Sequence, residues 1–245
     1  MRDQGLDRVI GVIEGVGAFA QEIGIAQPLL SNLNRMPAEH APAVESFPIV
    51  APDAAVVDEI DAARGREYAL LSVLLRCAPN ADLLAQLAAI HADNSPLGLA
   101  HATLAEAAQT TNVERIEREF FNLFIGVGRG ELVPYGSYYL TGFLNERPLA
   151  RLRDDLTRLG IERIDGEAEP EDHAAALCEI MAGLASGNFG APAGADRAAF
   201  EKHLAPWIGH FFADLEQAHA AEFYRRVGTV GRTFITIESE AFALG

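Results

Sequence analysis

Phe200-Glu-Lys-His-Leu204-Ala-Pro206-Trp207-Ile208-Gly-His-Phe211-Phe212-Ala-Asp-Leu215 returns a large apolar side chain every three or four residues. That repeat stacks them on one face of an α-helix, whereas a strand alternates with period two. Pro206 has no N–H to give the ladder and its ring crowds the preceding turn, so it predicts a kink or a split within the run. Downstream, Phe223, Val227, Val230 and Phe234 keep the same spacing and predict a last helix over about 219–240.

The helical reading extends upstream. Leu70, Leu71, Leu74 and Leu75 share one helix that must end by Pro79, and Asn80 is placed to cap a short helix running to Ile90. Another helix follows Pro96. Thr111-Asn112-Val113-Glu114 reads as a capping box ahead of an apolar stripe of Ile116, Phe120, Leu123 and Phe124, which stops at Gly126. The next eleven residues, Gly126–Gly136, hold four glycines and a proline and predict a loop. Helices resume over 147–159 and from Pro170 to Ser186. In the second, Pro170 takes the first position, Glu171 and Asp172 meet the positive end of the helix dipole, and Leu177, Ile180, Met181 and Leu184 face inward. Residues 1–55 differ, being Gly-rich early and Pro-rich later, and predict one modest helix near 7–23 followed by an irregular arm. The expected fold is all-α: one globular domain of roughly ten helices over 56–245, with a less regular N-terminal extension over 1–55.

Charge narrows the partners. Thirty-five acids against 19 bases leave a net charge of −16, a field that repels phosphate backbones and attracts basic segments. Nucleic acid is therefore not an expected partner. The N-terminus lacks a clean apolar run followed by a small-residue cleavage site, and no later stretch approaches the length needed to cross a bilayer, so a cytoplasmic protein without stable membrane insertion is expected. Cys77 and Cys178 lie far apart within helical patterns and read as buried apolar positions.

Several chemistries fail on spacing. Gly126-x-Gly128-x-Gly130 follows an amphipathic helix, whereas a dinucleotide fingerprint follows a strand. A P-loop is absent, because the single lysine, Lys202, is not preceded by glycine. His203 and His210 lack the accompanying acid spacing of a metal site and read as structural. Ser137 lacks a nucleophile elbow. Glu169-Pro-Glu-Asp-His173 is the most suggestive cluster, carboxylates beside an imidazole. It could serve as an acid-base pair, Asp172 with His173, but on residue type alone an acidic helix start with a dipole-matched first turn is the favoured reading.

Two segments taken together resemble the TorD/DmsD family of chaperones. Glu119-Phe-Phe-Asn-Leu-Phe124-Ile-Gly126-Val-Gly128 followed by Val133-Pro134-Tyr135-Gly136-Ser137-Tyr138-Tyr139 is similar to the family's first motif, and Glu169-Pro-Glu-Asp-His173 to its Glu-Pro-x-Asp-His motif. Val133 stands where the family often has a second proline. The resemblance runs from about residue 56 to the end. It implies a non-enzymatic cytoplasmic chaperone that binds the twin-arginine signal peptide, or the apo form, of a molybdenum-cofactor oxidoreductase such as a formate dehydrogenase or an N- or S-oxide reductase. It implies no cofactor and no metal, and a monomer or an oligomer in which helical halves exchange through a hinge near 160–169. The residues expected to bind the client are Glu119, Phe124, Pro134, Tyr135, Ser137, Tyr138, Glu169, Pro170, Glu171, Asp172 and His173. Glu171 and Asp172 would pair with guanidinium groups while Phe124, Tyr135 and Tyr138 support the apolar contact. A hydrolase using Asp172 and His173, and a helical adaptor without signal specificity, are the other readings.

Overall fold

Tyr68, Phe200, Trp207, Phe211, Phe212, Phe223 and Tyr224 are wholly buried and form the centre of the molecule. The computed structural model describes residues 59–162 and 169–244. The helix near 7–23, the arm to residue 55 and most of the expected hinge lie outside the described residues. Ten helices are present among the described residues: α1 (Glu59–Arg76), α2 (Ala81–Ala88), α3 (Pro96–Thr110), α4 (Val113–Phe120), α5 (Gly136–Thr141), α6 (Arg147–Arg158), α7 (Ala174–Ala185), α8 (Ala195–Ala199), α9 (Ile208–Gln217) and α10 (Phe223–Leu244). No strand occurs among them. A lone antiparallel bridge joins Tyr135 to His173.

Packing follows the apolar stripes. Helix α1 lies against α7, and α10 lies against both α9 and α3. The α9–α10 contact is close because Gly231 sits under the Phe212 ring, where a Cβ would meet ring carbons at 2.2 Å. Helix α4 runs on through one π turn, Phe121–Ile125, and α8 through another, Phe200–Leu204; in each the closing amide bonds five residues back, Gly126 to Phe121 and Ala205 to Phe200. Pro206 lies in the turn between the second of these and α9, so the proline splits the run as its chemistry requires.

The expected local starts need correction in several places. Asn112, not Thr111, caps α4: its side chain accepts the Arg115 amide, so Glu114 stands one place too early to close a capping box. Helix α7 begins at Ala174 rather than Pro170, because residues 169–173 form a turn whose backbone bonds point to another segment. Helix α5 has no apolar periodicity long enough to announce it. Helix α10 runs from 223 to 244 rather than 219 to 240. Cys178 is buried, and burial pushes its thiol up to about 12. Cys77, beyond the end of α1, is exposed.

Two polar knots lie within the helix packing. Arg64 of α1 donates to both oxygens of Glu238 on α10, at 2.8 and 3.0 Å, and Tyr68 donates to the same carboxylate at 2.9 Å. Asp61 and Asp196 complete the guanidinium's partners. His101 of α3 meets Glu67 of α1 at 3.1 Å. Burial opposes charge on His101, but the Glu67 carboxylate outweighs it and raises the imidazole's pKa above its ordinary value.

Glu238 is fully buried and Arg64 nearly so. Removing one member of such a pair strands the other charge in the interior. Glu238→Ala is therefore expected to cost about 3–5 kcal/mol in urea unfolding. Arg64→Met combined with Glu238→Leu should recover most of that loss.

Candidate functional site

The glycine-proline loop and the acidic turn form one structure. The Gly136 amide donates to the Asp172 carbonyl and the Ala174 amide to the Pro134 carbonyl, both at 2.8 Å. These reciprocal bonds are why the backbone at 169–173 is not helical. Asp172, 3% exposed, reaches across the same joint. Its Oδ2 accepts the Ser137 amide at 2.8 Å and the Ser137 hydroxyl at 2.5 Å, capping the first turn of α5. Its Oδ1 is buried and receives no hydrogen bond from the described residues.

Around this joint the remaining motif side chains are fixed. His173 is the N-cap of α7, its Nδ1 accepting the Ala175 amide at 3.1 Å. That bond leaves the ring proton on Nε2. Burial, with the Arg76 charge adding to it, overcomes the pull of Glu169 and Asp172 and lowers the imidazole to about 4. Tyr135 stacks edge-on against His173 at 5.0 Å and donates its hydroxyl to Glu169 at 2.5 Å. Burial, then Glu169, raise the Tyr135 hydroxyl's pKa above its ordinary value. Glu171 is held by the Arg153 guanidinium of α6 at 2.8 Å. Trp207 roofs the joint: a Cβ on Gly136 would sit 3.0 Å from its indole nitrogen, so any larger residue at the start of α5 would press on the indole.

The predicted residues therefore divide. Tyr135, Ser137, Glu169, Glu171, Asp172 and His173 come together, with the buried Pro134 beneath them and Pro170 in the turn. Glu119 does not join them. It is buried, and its carboxylate accepts the amides of Glu222, Phe223 and Tyr224 at 2.8, 3.1 and 2.6 Å, capping α10. Phe124 packs against Phe120 at 5.0 Å and Tyr224 at 5.5 Å, half-buried and part of the core's edge. Tyr138 faces the other way and accepts a bond from Arg129 in the glycine loop at 2.8 Å.

Sequence reasoning missed two features. Beside Tyr138 and Arg129 the chain exposes apolar side chains at Ile125, Val127 (97% exposed), Leu140, Phe143 (69% exposed) and Leu144. Val127 between Gly126 and Gly128, and the Gly-Phe-Leu run at 142–144, were visible as apolar residues in loops. Glu131 of the loop also binds the His219 and Ala220 amides at 2.6 and 3.0 Å, tying the loop to the turn before α10. Among the described residues no group of His, Cys, Asp and Glu side chains is placed to hold a metal, and no helix is long and apolar enough to cross a membrane.

The His173 cap sets a pH dependence. Its folded pKa of about 4 lies below the ordinary imidazole value of 6.5, so the unfolded chain takes up the proton first as pH falls. The His173 contribution to stability is expected to be present in full above pH 6.5 and lost progressively down to about 4, by about 3 kcal/mol in all. Urea unfolding across this range should show the loss, and His173→Asn, which caps without titrating, should flatten it.

A family model described as the nitrate reductase delta subunit matches residues 91–213. Chaperone protein TorD from Vibrio cholerae serotype O1, in the Classical Ogawa and the El Tor Inaba strains, is 28% identical over 126 residues, which is 48% of this chain and 57% of the relative. The chain thus spans little more than half the length of these curated relatives. A crystal structure from Archaeoglobus fulgidus, described as a redox enzyme maturation protein, superposes with a TM-score of 0.51 at 20% identity, covering 71% of this chain and 93% of that one. That likeness shows the helical fold. The family model covers 123 of 245 residues and contains both motifs in full, and the chain belongs to the nitrate reductase delta subunit family, the family of the TorD chaperones.

Proposed function

We propose that this protein is a cytoplasmic chaperone of a molybdenum-cofactor oxidoreductase, and that it binds the twin-arginine signal peptide of its client at the joint between the glycine-proline loop and the acidic turn. The observation that carries the reading is the placement of Glu169 and Glu171 on a turn bonded to the glycine-proline loop, which exposes Val127, with Ile125 exposed just before it. A basic head and an apolar stretch thereby find their complements on one body. The family membership and the curated TorD relatives support the chaperone role.

The residues act at two levels. Glu169 and Glu171 are the acids this reading assigns to the guanidinium groups, which would share them with Tyr135 and Arg153. Asp172, buried and bonded to Ser137, positions the turn instead of touching an arginine, and Glu119 does the same for α10 at the base of the loop. Tyr138, Ile125 and Val127 supply the apolar contact, with Phe124 beneath them.

A hydrolase built on Asp172 and His173 draws no support from this geometry. The imidazole has spent Nδ1 on the α7 cap and is a weak base at about 4, and the Asp172 carboxylate is committed to Ser137.

Titration calorimetry with a synthetic twin-arginine signal peptide is expected to show binding that weakens about tenfold or more when both arginines become glutamine. Glu169→Gln with Glu171→Gln should lose a similar factor against the native peptide and little against the glutamine peptide. Equal binding of both peptides would favour the adaptor reading.

A further inference from the structure

A cavity of about 260 Å³ opens between α6, α7 and α8, and neither motif includes it. Its walls are apolar: Leu152 and Leu156 of α6, Leu177, Ile180 and Met181 of α7, and Ala198 of α8. Roughly nine waters would fill that volume, the space of a few aliphatic side chains. A dry-walled recess of this kind gains by taking apolar groups out of water.

Its position and its mouth say which groups. Helix α7 starts at His173, so Leu177 on the cavity wall is one turn beyond the acidic turn, and Met181 is one turn further. Helix α6 is shared in the same way, Arg153 holding Glu171 while Leu152 and Leu156 line the cavity. The mouth carries Asp155, but that carboxylate is bound by Lys202, Arg158 and His203. Lys202 and the other contacts hold its pKa below the usual carboxylate range, and burial keeps His203 neutral. Lys202 and Arg158 against Asp155 leave the mouth with a net positive charge. A basic head is therefore turned away from the cavity and toward Glu169 and Glu171.

We infer that this cavity receives apolar side chains of the client segment whose basic head lies at the acidic turn, which makes α6 and α7 a two-part receptor with a fixed polarity. The inference rests on the peptide-binding reading above and adds to the contact at Tyr138, Ile125 and Val127 a second apolar site, on the α6–α7 side of the acidic turn. From the end of the acidic turn at His173 the cavity wall at Leu177 and Met181 is 4–8 residues along α7, or roughly 6–12 Å at helical rise, a span that two to four extended residues bridge.

Ala198 is exposed at the cavity mouth, so Ala198→Trp fills the space from outside without disturbing the core. Calorimetry would use two synthetic peptides with the same arginine pair, one followed by a Leu/Ala run and one with that run changed to serine. The variant is expected to bind the first about tenfold more weakly and the second unchanged. Ile180→Ser, with circular dichroism to confirm folding, should repeat the pattern. Unaltered binding of the Leu/Ala peptide to both variants, or an equal loss for both peptides, overturns the inference while leaving signal binding intact. If wild-type protein binds neither peptide, the reading on which it rests falls as well.

Discussion

Asp172 to Ser137 is the contact on which the site depends. One buried carboxylate accepts both the backbone amide and the hydroxyl of a residue 35 positions earlier. The reciprocal backbone bonds between 134–136 and 172–174 flank it. Hydrogen bonds to an ionised group contribute about 1.5–3 kcal/mol each, and the same charge left buried without them would be costly. The loop must therefore adopt the conformation that presents Ser137 to Asp172, and everything carried by that loop is placed accordingly. Tyr135 meets Glu169 and His173, Gly136 slides under Trp207, and Arg129 comes to rest against Tyr138.

Glu119 and Glu131 repeat the device at the other end of the loop. Each gives a carboxylate to backbone amides just before or at the start of α10, so the segment from 119 to 137 is anchored by acids at both ends and in its middle. A chain with a charge of −16 thus uses some of its negative side chains internally, where they satisfy helix starts that would otherwise lack acceptors. Only the acids left toward solvent are available for a basic partner. Net charge alone does not separate the two populations; burial does.

The fold was legible because apolar spacing reports which face of a helix is buried without reference to what buries it. Phe200 to Leu215 and Phe223 to Phe234 carried their own helices, and Pro206 its own break. Helix ends were less legible, since a cap is chosen by competition among neighbouring side chains. Asn112 wins over Thr111, and the backbone at 170–173 is drawn into bonds with 134–136 instead of starting a helix. Glu169–His173 was found by residue type, but the division of labour within it was not. Whether an aspartate faces solvent or a serine 35 residues away is decided by tertiary packing, which has no local period to read.

That division bears on how the site could bind. Glu169 and Glu171 are held before any partner arrives, one by the Tyr135 hydroxyl and the other by the Arg153 guanidinium. A carboxylate already fixed in place loses less rotamer freedom on meeting a guanidinium than a free surface acid does. The cost is competition, because Arg153 must share Glu171 with the newcomer. Affinity for one isolated charge is then modest, and a segment with two charges and an apolar run gains from each contact in turn. On the signal-peptide reading proposed above, that arrangement would favour the whole pattern over any single basic residue.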